Sequence, residues 1–407
     1  MRAFTFDASA CTGCKTCQVA CKDKNGLPVG LLWRRVYEVS GGSWERRGAA
    51  WTNTVFAYNV SVACNHCAEP ACAAACPTGA CSVRDDGIVW IDSARCAGCE
   101  YCAWVCPYSA PAYSHDLGRM TKCDFCLDLV DQGLSPACVA ACPMRALDFT
   151  DVVRGPTAER TDMRALWDAP PTTHPYPLPA FSRTQPRIAI QPHVAMQNAL
   201  TKNVANREEV RPPRAAAGRT VRTLDVEDLP LVLFTLLGQA AAGLAVVSLF
   251  VGSLPVPARV ATGVLTALAA LASLFHLGTP SRAGRMRANA RSSALSREVV
   301  MLCLFAAAWI LAWFDPPTGR VVLALCGFAL VYAMADVYAI DGIPGWDRGR
   351  ARAAFASTAL LLGSIVLLAV SRPGGFWPII LIAGGVFADQ FARRRRFYDA
   401  RRRAKVM

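Results

Sequence analysis

Residues 96–107 read CAGCEYCAWVCP, that is Cys96-x2-Cys99-x2-Cys102-x3-Cys106-Pro107. In a run of this kind three close thiolates hold three irons of one [4Fe-4S] cubane, and the fourth, set back by three residues, reaches a neighbouring cluster. Upstream, Cys11, Cys14, Cys17 and Cys21 repeat the run. Two further units each stretch one gap: Cys64-x2-Cys67-x4-Cys72-x3-Cys76-Pro77 and Cys123-x2-Cys126-x11-Cys138-x3-Cys142-Pro143. Four copies of one unit, with strand-like runs such as GIVWID (Gly87 to Asp92) between them, describe two ferredoxin-like modules. Sixteen thiols suffice for four [4Fe-4S] clusters. Structural zinc also uses paired CxxC units, but it does not require the three-then-one spacing four times over.

The remaining composition narrows the class. Of 19 cysteines in 407 residues, 17 fall within the first 142, and secreted disulfide scaffolds of such density are small chains without long apolar segments. Cys81 has no place in the pattern and reads as a small buried side chain. Cys303 and Cys326 lie in apolar runs, where an inert thiol is expected. His66, between two ligand cysteines, reads as a hydrogen-bond donor beside a cluster rather than a ligand. The start, MRAFTFDASACTGC, has no apolar run and hence no readable secretory signal. A net charge of +13 is compatible with nucleic acid, yet the arginines concentrate beside apolar segments, where they flank a membrane; no nucleic-acid partner is expected.

Three regions differ in composition: residues 1–150 as a four-cluster ferredoxin-like domain, 151–228 as a Pro/Arg-rich extended connector containing PTTHPYPLP, and 229–407 as a transmembrane domain. Within the first, WRRVYEV and TVFAYNVSV alternate around Gly41-Gly42 and read as a hairpin insertion. The last holds six apolar segments, Leu229 to Val251, Val260 to Leu277, Val299 to Phe314, Val321 to Ile340, Ala353 to Val370 and Phe376 to Phe391. A span needs about 20 residues, so the third and sixth require flanking residues to complete them. The fold class is therefore an α+β ferredoxin-like domain, two bacterial-ferredoxin-type modules with a hairpin insertion, fused to an all-α transmembrane bundle of about six helices. With six helices, the side shared by the cysteine-rich domain carries 20 basic residues and the other side 3. The positive-inside rule then places that domain and the C-terminus on the cytoplasmic side of the cell inner membrane. A membrane redox sensor or a transporter is the rival class, but transporters use paired Gly/Pro-broken helices that these segments lack, and sensing does not need four clusters.

The stretches SVACNHCAEPACAAACPTGA, CAGCEYCAWVCPYSAP, MTKCDFC and ACVAACPMRALDF resemble the iron-sulfur subunit of the dimethyl sulfoxide reductase family, over nearly all of residues 1–150. The resemblance implies that units one and four pair, and units two and three pair. Carried onto this sequence, the four ligand sets are Cys11, Cys14, Cys17 with Cys142; Cys123, Cys126, Cys138 with Cys21; Cys64, Cys67, Cys72 with Cys106; and Cys96, Cys99, Cys102 with Cys76. Some relatives replace the residue matching Cys102, so its presence favours four full cubanes. Further on, FHLGTPSRAGRMRANARSSALSRE (Phe275 to Glu298) and VYAIDGIPGW (Val337 to Trp346) resemble the quinol-oxidising anchor subunit of the same enzymes. Anchors of that family are usually separate chains of eight helices, so the fusion and the shorter helix count are departures. The resemblance implies a separate molybdopterin-containing catalytic subunit as partner, membrane lipid as surroundings, and menaquinone or ubiquinone as the redox substrate.

His276 closes the second apolar segment and Glu298 opens the third, on the membrane edge that faces the cysteine-rich domain. Quinol oxidation releases two protons with two electrons. An imidazole that takes a proton near neutral pH, beside a carboxylate, suits that chemistry. The alternative is that His276 merely caps a helix and Glu298 pairs with an arginine. Asp336 and Asp389, inside apolar segments, are further candidates, and Arg282, Arg285 and Arg297 are candidates for holding the cysteine-rich domain down. His276 is the only histidine of the apolar segments, so no axial pair exists and no haem is expected. The expected role is electron transfer from quinol through four clusters to the catalytic subunit. The reverse direction, in a cytoplasm-facing complex resembling the sulfite dehydrogenases, uses the same parts.

Overall fold

A computed structural model describes residues 1–151, 184–191, 193–194, 229–251, 254–340, 346–371, 386 and 389–391. The connector segment PTTHPYPLP, the basic stretch 393–405 and most of the sixth apolar segment lie outside them.

The cysteine-rich part is built from small elements because each ligand loop interrupts the chain. Strand β1 (Arg2–Asp7) pairs antiparallel with β10 (Leu147–Asp151), Phe4 opposite Phe149, and so joins the two ends of the domain. Strand β11 (Ile188–Gln191) adds to the other edge of β1 in parallel, Phe4 opposite Ile188. The alternating Phe4, Phe6, Ile188 and Ile190 are buried beneath the sheet, as the two-residue period of a strand requires. Two further hairpins, β6 (Cys81–Val83) with β7 (Val89–Ile91) and β8 (Ala112–Ser114) with β9 (Arg119–Thr121), separate the cysteine units.

The insertion turns later than the sequence suggests. Strands β2 (Arg35–Gly41) and β5 (Phe56–Val62) pair over seven residues, but the chain then continues into a second ladder, β3 (Trp44–Arg47) with β4 (Ala50–Asn53), that turns at Gly48. Gly42, with φ +90°, bends one ladder into the next. It is a joint in the hairpin and not its tip.

Short helices follow the cysteine loops: α1 (Thr16–Lys24), α2 (Ala71–Ala75), α3 (Tyr101–Val105), α4 (Leu127–Val130) and α5 (Ala137–Ala140). The x3 spacing acts here. Cys17 and Cys21 both lie on α1, whereas Cys76 and Cys106 follow the last residues of α2 and α3 with extended backbone, and Cys142 lies beyond α5, so the fourth thiol of those units is carried away from the helix.

Among the described residues the remainder holds five long helices: Leu229–Val251, Val256–Phe275, Ala294–Phe314, Pro316–Val337 and Arg348–Ser371. All five are long and apolar enough to cross a membrane. On the second, Val260, Val264, Leu268 and Leu271 point outward and are about half exposed. Such a stripe on a bundle exterior suits lipid and would be a liability in water. Inside, Thr235, Ser248, Thr262, Thr266 and Thr358 return their hydroxyls to carbonyls three or four residues back, which satisfies them without water. The third helix is longer than its apolar run because Ser293 caps it, its hydroxyl accepting from Ser296 N at 3.3 Å. At the far ends of the second and third helices Trp309 Nε1 donates to Arg259 O at 2.7 Å, and the Arg259 guanidinium lies 5.4 Å over the Trp313 ring, an arrangement typical of a membrane–water boundary.

Candidate cluster sites and the cavity beneath them

In each unit the residue before the second cysteine is left-handed: Gly13 (φ +71°), His66 (φ +43°), Gly98 (φ +71°) and Phe125 (φ +68°). This twist lets the loop curl so that main-chain N–H groups turn toward sulfur. Phe125 N donates to Cys123 Sγ at 3.4 Å. Glycine relieves the strain at two of the positions, and burial of His66 and Phe125 holds them in place at the other two.

The sequence-predicted thiols have neighbours from the units that the expected ligand sets combine, and neighbours from the adjoining sets as well. Cys11, Cys14, Cys17 and Cys142 line one small cavity together with Ser61 and Val36. The thiols that act electrostatically on Cys21 include Cys138 and Cys126, and those on Cys123 include Cys21 and Cys138. Cys67 has Cys64, Cys106 and Cys72 as neighbours, and Cys102 has Cys99, Cys76 and Cys96. The expected sets adjoin in a line: Cys17 feels Cys138, Cys123 feels Cys64, and Cys102 feels Cys72. All nineteen cysteines are free thiols.

Whether these pockets suit iron-sulfur clusters can be judged from their chemistry. Among the described residues no three His, Cys, Asp or Glu side chains converge as ligands of a single ion would. A lone zinc draws its sulfurs to about 2.3 Å, whereas a cubane stands between its thiolates. Burial pushes Cys21, Cys99 and Cys106 up to about 12, so metal must displace protons to bind, as thiolate sites generally require. Unsatisfied buried donors stand by to receive sulfide or thiolate. His66 is buried, and its Nδ1 accepts from Val89 N at 3.1 Å. That bond leaves the proton on Nε2, which has no hydrogen-bond partner among the described residues. Burial, with Lys122 and Arg187 next, holds its imidazole well below the usual range and so neutral. The residues fit the group.

Cys81 does more than its place outside the spacing pattern suggests. Its main-chain N–H donates to Cys76 Sγ at 3.3 Å, and its thiol bonds with that of Cys72. It thus contacts two of the sequence-predicted thiols. Only the β6 strand pairing puts it there, and the motif spacing carries no trace of it.

The cysteine-rich domain sits directly on the helix bundle. Gly98, Gly118 and Gly278 meet so closely that a Cβ on Gly98 would lie 2.6 Å from Gly118 O and 3.0 Å from Gly278 Cα. From the loop after the second long helix, Thr279 Oγ1 and Arg282 Nη1 donate to Cys96 O at 3.1 and 2.7 Å, and Asn289 Nδ2 donates to Cys76 O at 2.9 Å. Ser293 and Ser296 hydroxyls donate to Ala75 O and Pro77 O at 2.8 and 3.2 Å. These bonds hold the backbone of Cys96 and Cys76. Arg282, expected to hold the domain down, is thus a clamp. Tyr101, whose phenol burial keeps protonated, donates to Val337 O at 3.1 Å across the same boundary.

Under that contact lies a cavity of about 230 Å³. Cys99, Tyr101 and Trp104 of the cysteine-rich domain form one wall, and His276, Glu298 and Tyr338 of the helix bundle face them across apolar side chains that include Phe234, Leu277 and Met286. An apolar hollow with a few convergent polar groups is the usual form of a small-molecule site. His276 follows the last turn of the second helix, its ring 6.4 Å from that of Trp104. Glu298 is 3% exposed, and its Oε1 has no hydrogen-bond partner among the described residues. The structure brings His276 and Glu298 to one cavity, one turn deeper into the third helix than the apolar pattern places Glu298. It does not bring Asp336 or Asp389 there. Asp336 is ion-paired with Arg352 at 2.9 Å, and Asp389 is exposed. Trp104, which spacing alone marks only as a residue between two cysteines, closes the cavity roof with Tyr101.

Residues 55–152 match the 4Fe-4S dicluster domain family, and residues 224–377 match the DMSO reductase anchor subunit (DmsC) family. The protein is 44% identical over 213 residues to one chain of the anaerobic dimethyl sulfoxide reductase of Escherichia coli (strain K12), a match covering 51% of this protein and 97% of that one. It is 41% identical over 144 residues to the thiosulfate reductase electron transfer subunit PhsB of Salmonella typhi, covering 35% and 72%. A subunit of the tetrathionate reductase of Salmonella typhimurium is 38% identical over 142 residues, covering 34% and 54%.

Proposed function

Since the chain belongs to the dimethyl sulfoxide reductase family, as an electron-transferring iron-sulfur subunit fused to a multi-pass membrane anchor, we propose that it oxidises quinol and passes the electrons to a separate molybdopterin-containing subunit. The observation that carries this reading is the cavity shared by Cys99, His276 and Glu298. It joins a proton-accepting pair to a cluster ligand at the edge of the membrane bundle.

The sixteen cysteines of the four units hold four [4Fe-4S] clusters, units one and four sharing two of them and units two and three the other two. When bound, these clusters relay one electron at a time. The protons are the work of side chains. His276 binds a quinol hydroxyl and takes its proton, and the buried Glu298 is placed to take the second or to pass it on. Trp104, Tyr101 and the apolar wall exclude water and hold the ring of the substrate, either menaquinone or ubiquinone. The boundaries 1–150, 151–228 and 229–407 divide the labour into relay, connector and anchor, with β11 a strand that the connector lends to the relay sheet.

Purified without oxygen, the chain is expected to carry about 16 irons, four per cubane, and no stoichiometric zinc; metal analysis giving about eight irons would reject the four-cluster reading. The clamp loop Arg282 to Arg297 lies on the face that carries the cysteine-rich domain, and its charge favours the cytoplasmic side of the inner membrane. A reporter fused to the C-terminus should accordingly be active in the cytoplasm. Activity confined to the periplasm would reverse the assignment. The same charge asymmetry supports a second reading, in which the complex faces the cytoplasm and delivers electrons to quinone.

A further inference from the structure

Two fully buried cations serve neither the quinol chemistry nor the ligation of the clusters. Arg34, just before β2, is 1% exposed. Its Nη1 donates to Ser61 Oγ at 3.1 Å, its guanidinium lies 4.8 Å over the Phe4 ring, and Nε and Nη2 have no hydrogen-bond partner among the described residues. Among the described residues no carboxylate is ion-paired with it. Its charged neighbours are the sulfurs of Cys138, Cys123, Cys17 and Cys21. Lys122, 3% exposed, donates to the main-chain oxygens of Cys123, at 2.9 Å, and of Val89. Its neighbours are the sulfurs of Cys64, Cys81, Cys72 and Cys123.

The positions form a pattern. Arg34 stands at the joint between the Cys11 set and the Cys123 set, and Lys122 at the next joint, between the Cys123 set and the Cys64 set. A guanidinium stays charged in any protein, and a buried charge persists only where opposite charge meets it. Thiolate-ligated clusters would supply that charge. Reduction adds one more negative charge to a cluster, and a fixed cation in a low-dielectric surround favours the reduced form.

We propose that Arg34 and Lys122 set the reduction potentials along the relay, each raising those of the two clusters it separates, with the cluster of Cys123, Cys126, Cys138 and Cys21 under the influence of both. The inference rests on the four-cluster reading. It adds a gradient to the wire: electrons arriving at the cavity end, on the Cys96 set, are drawn toward the clusters that the cations flank.

The test is a potentiometric titration of the complete complex in its membranes, followed by electron paramagnetic resonance, on Arg34→Met, Arg34→Lys and Lys122→Met. Arg34→Met should lower two of the four midpoints, each by at least a tenfold change in the reduction equilibrium, about 59 mV for one electron. Arg34→Lys should recover most of that shift. Lys122→Met should lower two midpoints, one of them shared with Arg34→Met, and the cluster of the Cys96 set should move in neither. Unmoved midpoints in variants with native iron content would overturn the proposal. So would an equal shift of all four, which marks general loosening, or loss of iron from both methionine variants, which marks a structural role. A wild-type iron count below four clusters would instead strike the cluster reading itself.

Discussion

Replacing His276 by alanine is expected to slow quinol-driven reduction of the clusters by about 10² to 10⁴-fold, the usual worth of a positioned general base, while iron content and membrane assembly stay native. The imidazole stands at the end of the second long helix, in the same cavity as Cys99, and no cysteine set draws on it for a ligand. A dye that reduces the clusters directly should therefore work equally well on the variant and the native protein. Glu298→Gln keeps the shape of the side chain and removes its capacity for a proton, so a milder loss with altered pH dependence is expected. Stopped-flow reduction by a quinol analogue measures both. Full quinol-linked activity in His276→Ala would reduce the histidine to a helix cap and move the search to Tyr338 and the Tyr101–Trp104 wall.

Cys99→Ala should cut the relay at its first member. Cys99 is the thiol of its set that lines the cavity, and with Cys96, Cys102 and Cys76 it is proposed to hold the cluster that receives electrons from quinol. Loss of one thiolate should release between one and four of about 16 irons and abolish quinol-driven turnover. The other three sets do not use Cys99, so their clusters should still be reduced by a low-potential dye. This pattern separates a broken first link from a misfolded domain. Retention of quinol-driven electron flow at native rate would show that electrons enter elsewhere along the line. The corresponding change at Cys14, in the most remote set, should leave cluster reduction by quinol intact and block delivery to the partner.

Much of this protein is legible in order along the chain. Iron-sulfur ligation imposes short, fixed spacings, so Cys96 to Cys106 and its three relatives declare their chemistry without a fold. Membrane spanning likewise needs a continuous apolar length, and the runs beginning at Leu229 announce it. Both are local requirements, and local requirements are written in consecutive residues. His276 and Glu298 emerge only through a short resembling stretch, since one histidine and one glutamate have no spacing to mark them.

The rest depends on approach across long separations. The thiol of Cys81 meets Cys72 because β6 pairs with β7, and Trp104 becomes the roof of a cavity because Gly98, Gly118 and Gly278 let two domains touch. Asp336 resembles a functional acid as an ionisable group in an apolar run, until the fifth long helix brings Arg352 to it. Arg34 and Lys122 look like ordinary basic residues, and burial is what gives their charge consequence. Their neighbours, Cys138 for one and Cys64 for the other, come from distant units of the sequence. Composition and spacing determined which groups this chain would hold and where it would reside. Tertiary packing alone decided which side chains stand between those groups, because burial and charge pairing are properties of three-dimensional neighbours.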